Sequence, residues 1–387
     1  MPAHTDASMD TLRLAGDELA DATVAALFDR GEVGKFNTLM RYVSTAGAPL
    51  PDGLPDVARE YLAATSTPPA WVDWAEMEKA RLFFIDNNVH ITTALSFASM
   101  PACYVVPHVA KLLSASHGLK YPAKRMAETG QFTVYLMQPG AFEAGSRFIP
   151  AAQKVRLLHA SIRHHLSRED LWDTGTLGTP ICQEDMIGGQ MFFSMLVLDS
   201  LHRLGIHMSQ EGAEAYYYAW RVVGAMLGVD QEAVPGNLDE ARQFLDLYMI
   251  RHMGPSAEGT QLTRQLIDLY EEVVPGTFFD PIVAALIRYL VGDTCADWLD
   301  VPHTPWDTAV KAVPHLLGVL ETIEDRSPLG AWALDRLGRL TTVFELSSLT
   351  RGRVMHYAIP ESLKKDYGVS SAVPRHHRWT PPAPAIP

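Results

Sequence analysis

Two stretches of this 387-residue chain decide its fold: PAKRMAETGQFTVYLM at 122–137 and AAQKVRLLHASIRHHL at 151–166. In the second, Val155, Leu158, Ile162 and Leu166 recur at three- and four-residue spacing, the period of a helix with one apolar stripe. His159 sits inside that stripe, so the helix carries an inward-facing imidazole. The first stretch has the same period, and Pro139, Gly140 and Gly145 stand between the two, so they read as an antiparallel hairpin of helices.

Outward from this pair the same spacing continues, punctuated by proline and glycine, with few runs that alternate strictly enough for strands. It predicts helices over 9–30, 74–99, 122–137, 151–166, 185–204, 210–227, 237–252, 260–274, 281–291, 308–324 and 331–348. The expected fold is all-α, one large helical domain over 9–370. A proline-rich stretch from Ser371 and the first eight residues bury too little to order themselves and read as mobile tails.

Composition narrows the function. Forty-five Asp and Glu against 32 Lys and Arg give a charge of −13, which repels phosphate backbones and argues against a nucleic-acid partner. Cys103, Cys182 and Cys295 are too far apart in sequence for a CxxC metal or redox motif. The acidic N-terminus has no basic head or apolar run, so no export signal is read and a cytoplasmic location is expected. Residues 87–110 lack Asp, Glu, Lys and Arg, but asparagines, histidines and prolines interrupt them. A bilayer span needs roughly 20 mainly apolar residues, so the expectation is a buried core helix broken near Pro101 and no membrane span. The chain has no P-loop, no GxGxxG, no HExxH and no GxSxG, which removes the common nucleotide-binding and hydrolase classes.

The hairpin carries the chemistry. Arg156 lies three residues before His159 and Arg163 four after, one turn away on either side. An imidazole in an apolar wall with guanidinium groups nearby suits a haem iron ligand and its carboxylate partners. The same pattern also describes a core histidine whose arginines reach solvent. On the first helix Arg125, Glu128 and Thr129 form a polar patch at i, i+3 and i+4. Counted from the hairpin turn, Thr129 and His159 fall at similar depth, so the patch either faces a cofactor between the helices or is a solvated surface pair. His90 is the rival ligand, His164 and His165 are expected to be exposed, and Gln183, Glu184 and Asp185 read as a helix start. Arg221 and Arg163 are further candidates for haem carboxylate contacts.

From His90 to about Pro302 the sequence resembles the latex-clearing protein (rubber oxygenase) family. The motifs are His-Ile-Thr-Thr-Ala-Leu from His90, Arg125-x-x-x-Thr129, Lys154-Val-Arg-Leu-Leu-His-Ala-Ser-Ile-Arg163, Pro180-Ile-Cys-Gln-Glu-Asp185, and Tyr218-Ala-Trp-Arg-Val-Val-Gly224 with Leu227-Gly-Val229. The resemblance implies an all-helical b-type haem protein that uses dioxygen, with a globin-like haem-binding core and additional helices. It implies His159 as the iron's axial ligand and Arg125 and Thr129 on the distal side.

Glu128 stands where rubber-cleaving members carry a lysine, and Ala102 follows Pro101 where they carry a glutamate. Glu128 is a candidate for the missing base, since a carboxyl in an apolar pocket has a raised pKa. With no export signal, the expected substrate is a small hydrophobic alkene, terpenoid or lipid-like molecule in a pocket lined by Met126, Phe132, Leu158 and Met191. Dioxygen and an electron donor are the expected co-reactants. The alternatives are a haem peroxidase and a non-catalytic haem or ligand binder.

Overall fold

The computed structural model describes residues 4–114, 122–168, 171–273 and 280–312. They form helices in the order α1 (Asp6–Leu14), α2 (Glu18–Asp29), α3 (Val33–Met40), α4 (Asp56–Ala64), α5 (Trp74–Asp86), α6 (Asn88–Ala94), α7 (Met100–Val105), α8 (Pro107–Leu113), α9 (Pro122–Leu136) and α10 (Phe148–Arg168). There follow α11 (Thr174–Leu177), α12 (Gln183–Phe193), α13 (Met195–Arg203), α14 (Gln210–Met226), α15 (Leu238–His252), α16 (Ala257–Val273), α17 (Asp280–Val291), α18 (Asp293–Trp298) and α19 (Trp306–Lys311). No strand occurs among the described residues, so the all-α expectation holds.

Three predicted helices are each split, for local reasons. The 9–30 helix breaks between α1 and α2, where the Asp17 side chain accepts from the Ala20 amide and starts a new helix. The 74–99 helix breaks at Asn87 and then widens into a π-helical turn over Leu95–Ser99. Pro101 has no N–H to offer the preceding turn, and the wider register absorbs that loss. The 185–204 helix breaks at Ser194, whose hydroxyl donates back to the Gln190 carbonyl at 2.7 Å.

Residues 4–8 of the expected N-terminal tail are a second correction. Thr5 and Ser8 form a reciprocal capping box at the start of α1, and the His4 ring meets Phe244 edge-on at 4.9 Å. The predicted 331–348 helix, the C-terminal tail from Ser371 and most of the 308–324 helix lie outside the described residues.

Helix α10 is the strut that positions everything else. Phe148, Ile149 and Ala152 pack into the main core, Leu157 and Ala160 into a second core made with α2, α3 and α4, and Ile162 and Leu166 into a third with Leu112 and Trp172. Each buried leucine or isoleucine contributes about 2 kcal/mol of apolar transfer, so a helix anchored in three clusters has little freedom to rotate. The apolar 87–110 stretch folds inward, as α6 to α8, with a 105° bend before α8. Among the described residues no single helix is long and apolar enough to cross a membrane.

Candidate active site

A cavity of about 370 Å³ opens against α10. Val155, Leu158, His159 and Ile162 form that wall. Helix α9 supplies Glu128, Thr129 and Phe132, α12 supplies Asp185, Met186, Gly189 and Gln190, and α14 supplies Trp220, Val223, Gly224 and Leu227. The fold thus brings Glu128, Thr129 and His159 to one chamber, as the hairpin reading required. Arg125 lies on α9, with its side chain outside the described residues. Of the four expected pocket residues, Phe132 and Leu158 line the cavity. Met191 is instead fully buried in the core and Met126 packs against that core; Met186, on the face of α12 turned to the chamber, takes their place.

His159 is half-buried and faces the cavity, and its buried Nδ1 has no hydrogen-bond partner. Burial first, and then the nearby Arg163 charge, lower its pKa to about 4. The ring is therefore neutral at physiological pH, which is the form that ligates a metal. On the α12 wall a Cβ added at Gly189 would meet nothing within 4 Å, so that wall leaves open space in the chamber. His90, the rival, is not among the lining residues.

The flanking arginines serve α2 and not the cavity. Arg156 donates from Nε and Nη2 to the two carboxylate oxygens of Asp17, at 2.6 and 2.9 Å. Arg163 donates to Asp21 at 2.8 Å and to the Ile181 carbonyl at 3.0 Å, leaving a buried Nη2 without a partner. Arg156 and Arg163 fall about 60° and about 40° round α10 from His159, both to the same side, and that side meets α2. Arg221 also fails the expectation. Its guanidinium lies 5.6 Å over the Trp71 ring and donates to the Gly236 carbonyl at 3.3 Å; it sits one position, about 100°, round α14 from the lining Trp220. His164 and His165 are not exposed either. Phe28 of α2 stacks on His164 at 4.5 Å and meets His165 edge-on at 4.9 Å.

Sequence reasoning missed a buried polar network behind the α12 wall. Asp185 Oδ1 accepts from Arg13 at 2.8 Å and from the Tyr248 hydroxyl at 3.1 Å, and lies 2.7 Å from His108 Nε2. Burial works to raise this carboxyl, but the charge and hydrogen bond of His108, with Arg13, outweigh it and hold it well below the ordinary carboxylate range. Next to it the fully buried Glu184 takes Arg251 at 3.0 Å and His252 at 2.6 Å. Arg251 continues to the exposed Asp6 and Asp10. The helix-start reading was right, with the Cys182 thiol accepting from the Asp185 amide, but a cap does not reveal partners more than sixty residues away.

Gln190 was also missed. It is 6% exposed, and neither its Oε1 nor its Nε2 finds a hydrogen-bond partner. Each such unmet group costs about 1–3 kcal/mol. The one signal in the sequence is an uncharged amide among Ile187, Met191 and Phe193.

Comparisons with known proteins agree with the fold. The family described as "ER-bound oxygenase mpaB/B'/Rubber oxygenase, catalytic domain" matches residues 89–322, which include α9, α10, α12 and α14. The rubber oxygenase of Streptomyces sp. (strain K30) is 27% identical over 351 residues, covering 89% of this chain and 85% of that protein. A solved structure of latex clearing protein LCP in the closed state superposes with a TM-score of 0.80 at 26% identity, covering 90% of this chain and 95% of that one. The chain is an oxygenase, and it belongs to the family of mpaB-type and rubber oxygenase catalytic domains.

Proposed function

We propose that this oxygenase uses haem b and acts on a small hydrophobic molecule bearing a carbon–carbon double bond. The observation that carries the reading is His159: a neutral imidazole with an unpartnered nitrogen, on the wall of a largely apolar cavity of about 370 Å³. The donor set fits, because a neutral histidine in an apolar setting is a common haem iron ligand. His159 would hold the iron. When bound, haem supplies the redox chemistry by which dioxygen is used, and that chemistry is the cofactor's own.

The chain's residues do the rest. Val155, Leu158, Ile162 and Phe132 exclude water and hold an apolar substrate by burial. Glu128 and Thr129 give the cavity a polar edge, where the Glu128 carboxyl holds and returns a proton near the reacting double bond.

Oxygen uptake by the haem-supplied protein, followed with a panel of short isoprenoid alkenes, tests the reading. Uptake matched by a carbonyl or oxygenated product, with an altered pH profile in Glu128→Gln, is expected. A wild type that consumes no oxygen with any apolar alkene would count against it.

A further inference from the structure

The cavity contains a polar niche that no part of the proposed chemistry uses. Gln190 lines the chamber from α12, and its amide lies over Gly224 of α14, also a lining residue. A Cβ at Gly224 would overlap Gln190 Oε1, with the amide carbon 3.2 Å away. Glycine at 224 is therefore what gives the amide its space, yet both ends of that amide are buried without a partner. One donor end and one acceptor end of the amide are thus unmet.

We infer that Gln190 is a specificity-determining residue that hydrogen-bonds a hydroxyl group on the substrate, so that the natural substrate is an apolar alkene carrying an alcohol and not a pure hydrocarbon. The inference rests on the oxygenase reading and deepens it by naming the substrate's polar end. A hydroxyl both donates and accepts, and so meets Oε1 and Nε2 together. An ether or ketone only accepts and leaves Oε1 unmet. A carboxylate likewise only accepts, and among the described residues no lysine or arginine lines the cavity to balance its charge. The amide reaches the ligand by turning about its side-chain torsions, from a resting place in which it has no hydrogen bond to give up.

The test uses the full chain, with haem content recorded, and three probes of one skeleton: geraniol, its methyl ether and the parent hydrocarbon. Dissociation constants are measured for the wild type and for Gln190→Met, which keeps the shape and removes the amide. The wild type is expected to bind the alcohol about ten-fold more tightly than the ether. Gln190→Met is expected to bind the two alike, to hold the hydrocarbon within two-fold of wild type, and to melt no lower than wild type, since an unmet amide has been replaced by an apolar isostere. An equal preference in both proteins, or none in the wild type, overturns the inference. So does a Gln190→Met protein that loses haem but keeps the alcohol preference, because the amide then serves the cofactor. A chain that shows the preference but never takes up haem or oxygen would sink the proposed function while leaving the niche assigned.

Discussion

His159 is held neutral by its surroundings, and this has a cost in acid. Its folded pKa is about 4 against an ordinary 6.5, so between those values the unfolded chain binds a proton that the folded chain does not. Stability then falls as pH drops from 6.5 towards 4, by roughly 3 kcal/mol if the whole shift is realised. Urea unfolding of the haem-free protein at a series of pH values should show a steeper slope in the wild type than in His159→Phe, where His164, also lowered to about 4, still titrates; parallel curves would contradict it. Asp185 works with the opposite sign of charge. Its folded pKa lies below the unfolded one, so its contribution is complete above about pH 4 and is lost only as pH falls through the folded value. Asp185→Asn leaves Arg13 and His108 buried beside a weaker partner and should cost about 3–5 kcal/mol at neutral pH, read as a lowered Tm. The histidine was legible because it lies in an apolar period; the aspartate's role was not, because its partners come from α1, α8 and α15.

At the level of elements, α2 and α12 hold the chamber's walls by close approach. A Cβ at Gly188 would stand 2.6–2.8 Å from the Tyr248 ring, whose hydroxyl donates to Asp185. Gly188→Ala therefore pushes α12 from α15 and should lower stability by about 1–3 kcal/mol, measurable as a shift in Tm with a weakened Tyr248 contact. Gly228, with φ +85, follows α14 where a Cβ would overlap Asp17 and stand 2.6 Å from Arg156 Nε. Gly228→Ala is strained in its backbone and breaks the Asp17–Arg156 pair, so α10 should exchange its amide hydrogens faster around residue 156; unchanged protection would argue that the pair does not fix α10. Most helices were legible from their period, and α9, α10, α14 and α15 lie within a few residues of their predicted bounds. The breaks at Asp17, Asn87 and Ser194 were not, because a cap inside an apolar period leaves the period nearly intact. The Arg156–Asp17 and Arg163–Asp21 pairs join residues about 140 apart in sequence, a distance at which spacing carries no information.

Across the whole molecule, helices from both halves of the described chain converge on one chamber, and all of its lining residues lie in the segment matched by the oxygenase family. The N-terminal helices lie outside that segment and act on it through charge: Arg13, Asp17 and Asp21 engage Asp185, Arg156 and Arg163. The resemblance seen in the hairpin motifs carried the family and fold, while which polar groups face the chamber required the packing of four helices. The absorption spectrum of the purified full chain after haem is supplied, oxidised and reduced, beside that of His159→Ala, bears most directly on the proposed cofactor site. The expected result is a Soret band in the wild type that is absent from the variant while its far-UV helicity is retained. A wild type that stays colourless, or a variant with an undiminished band of the same position, contradicts it.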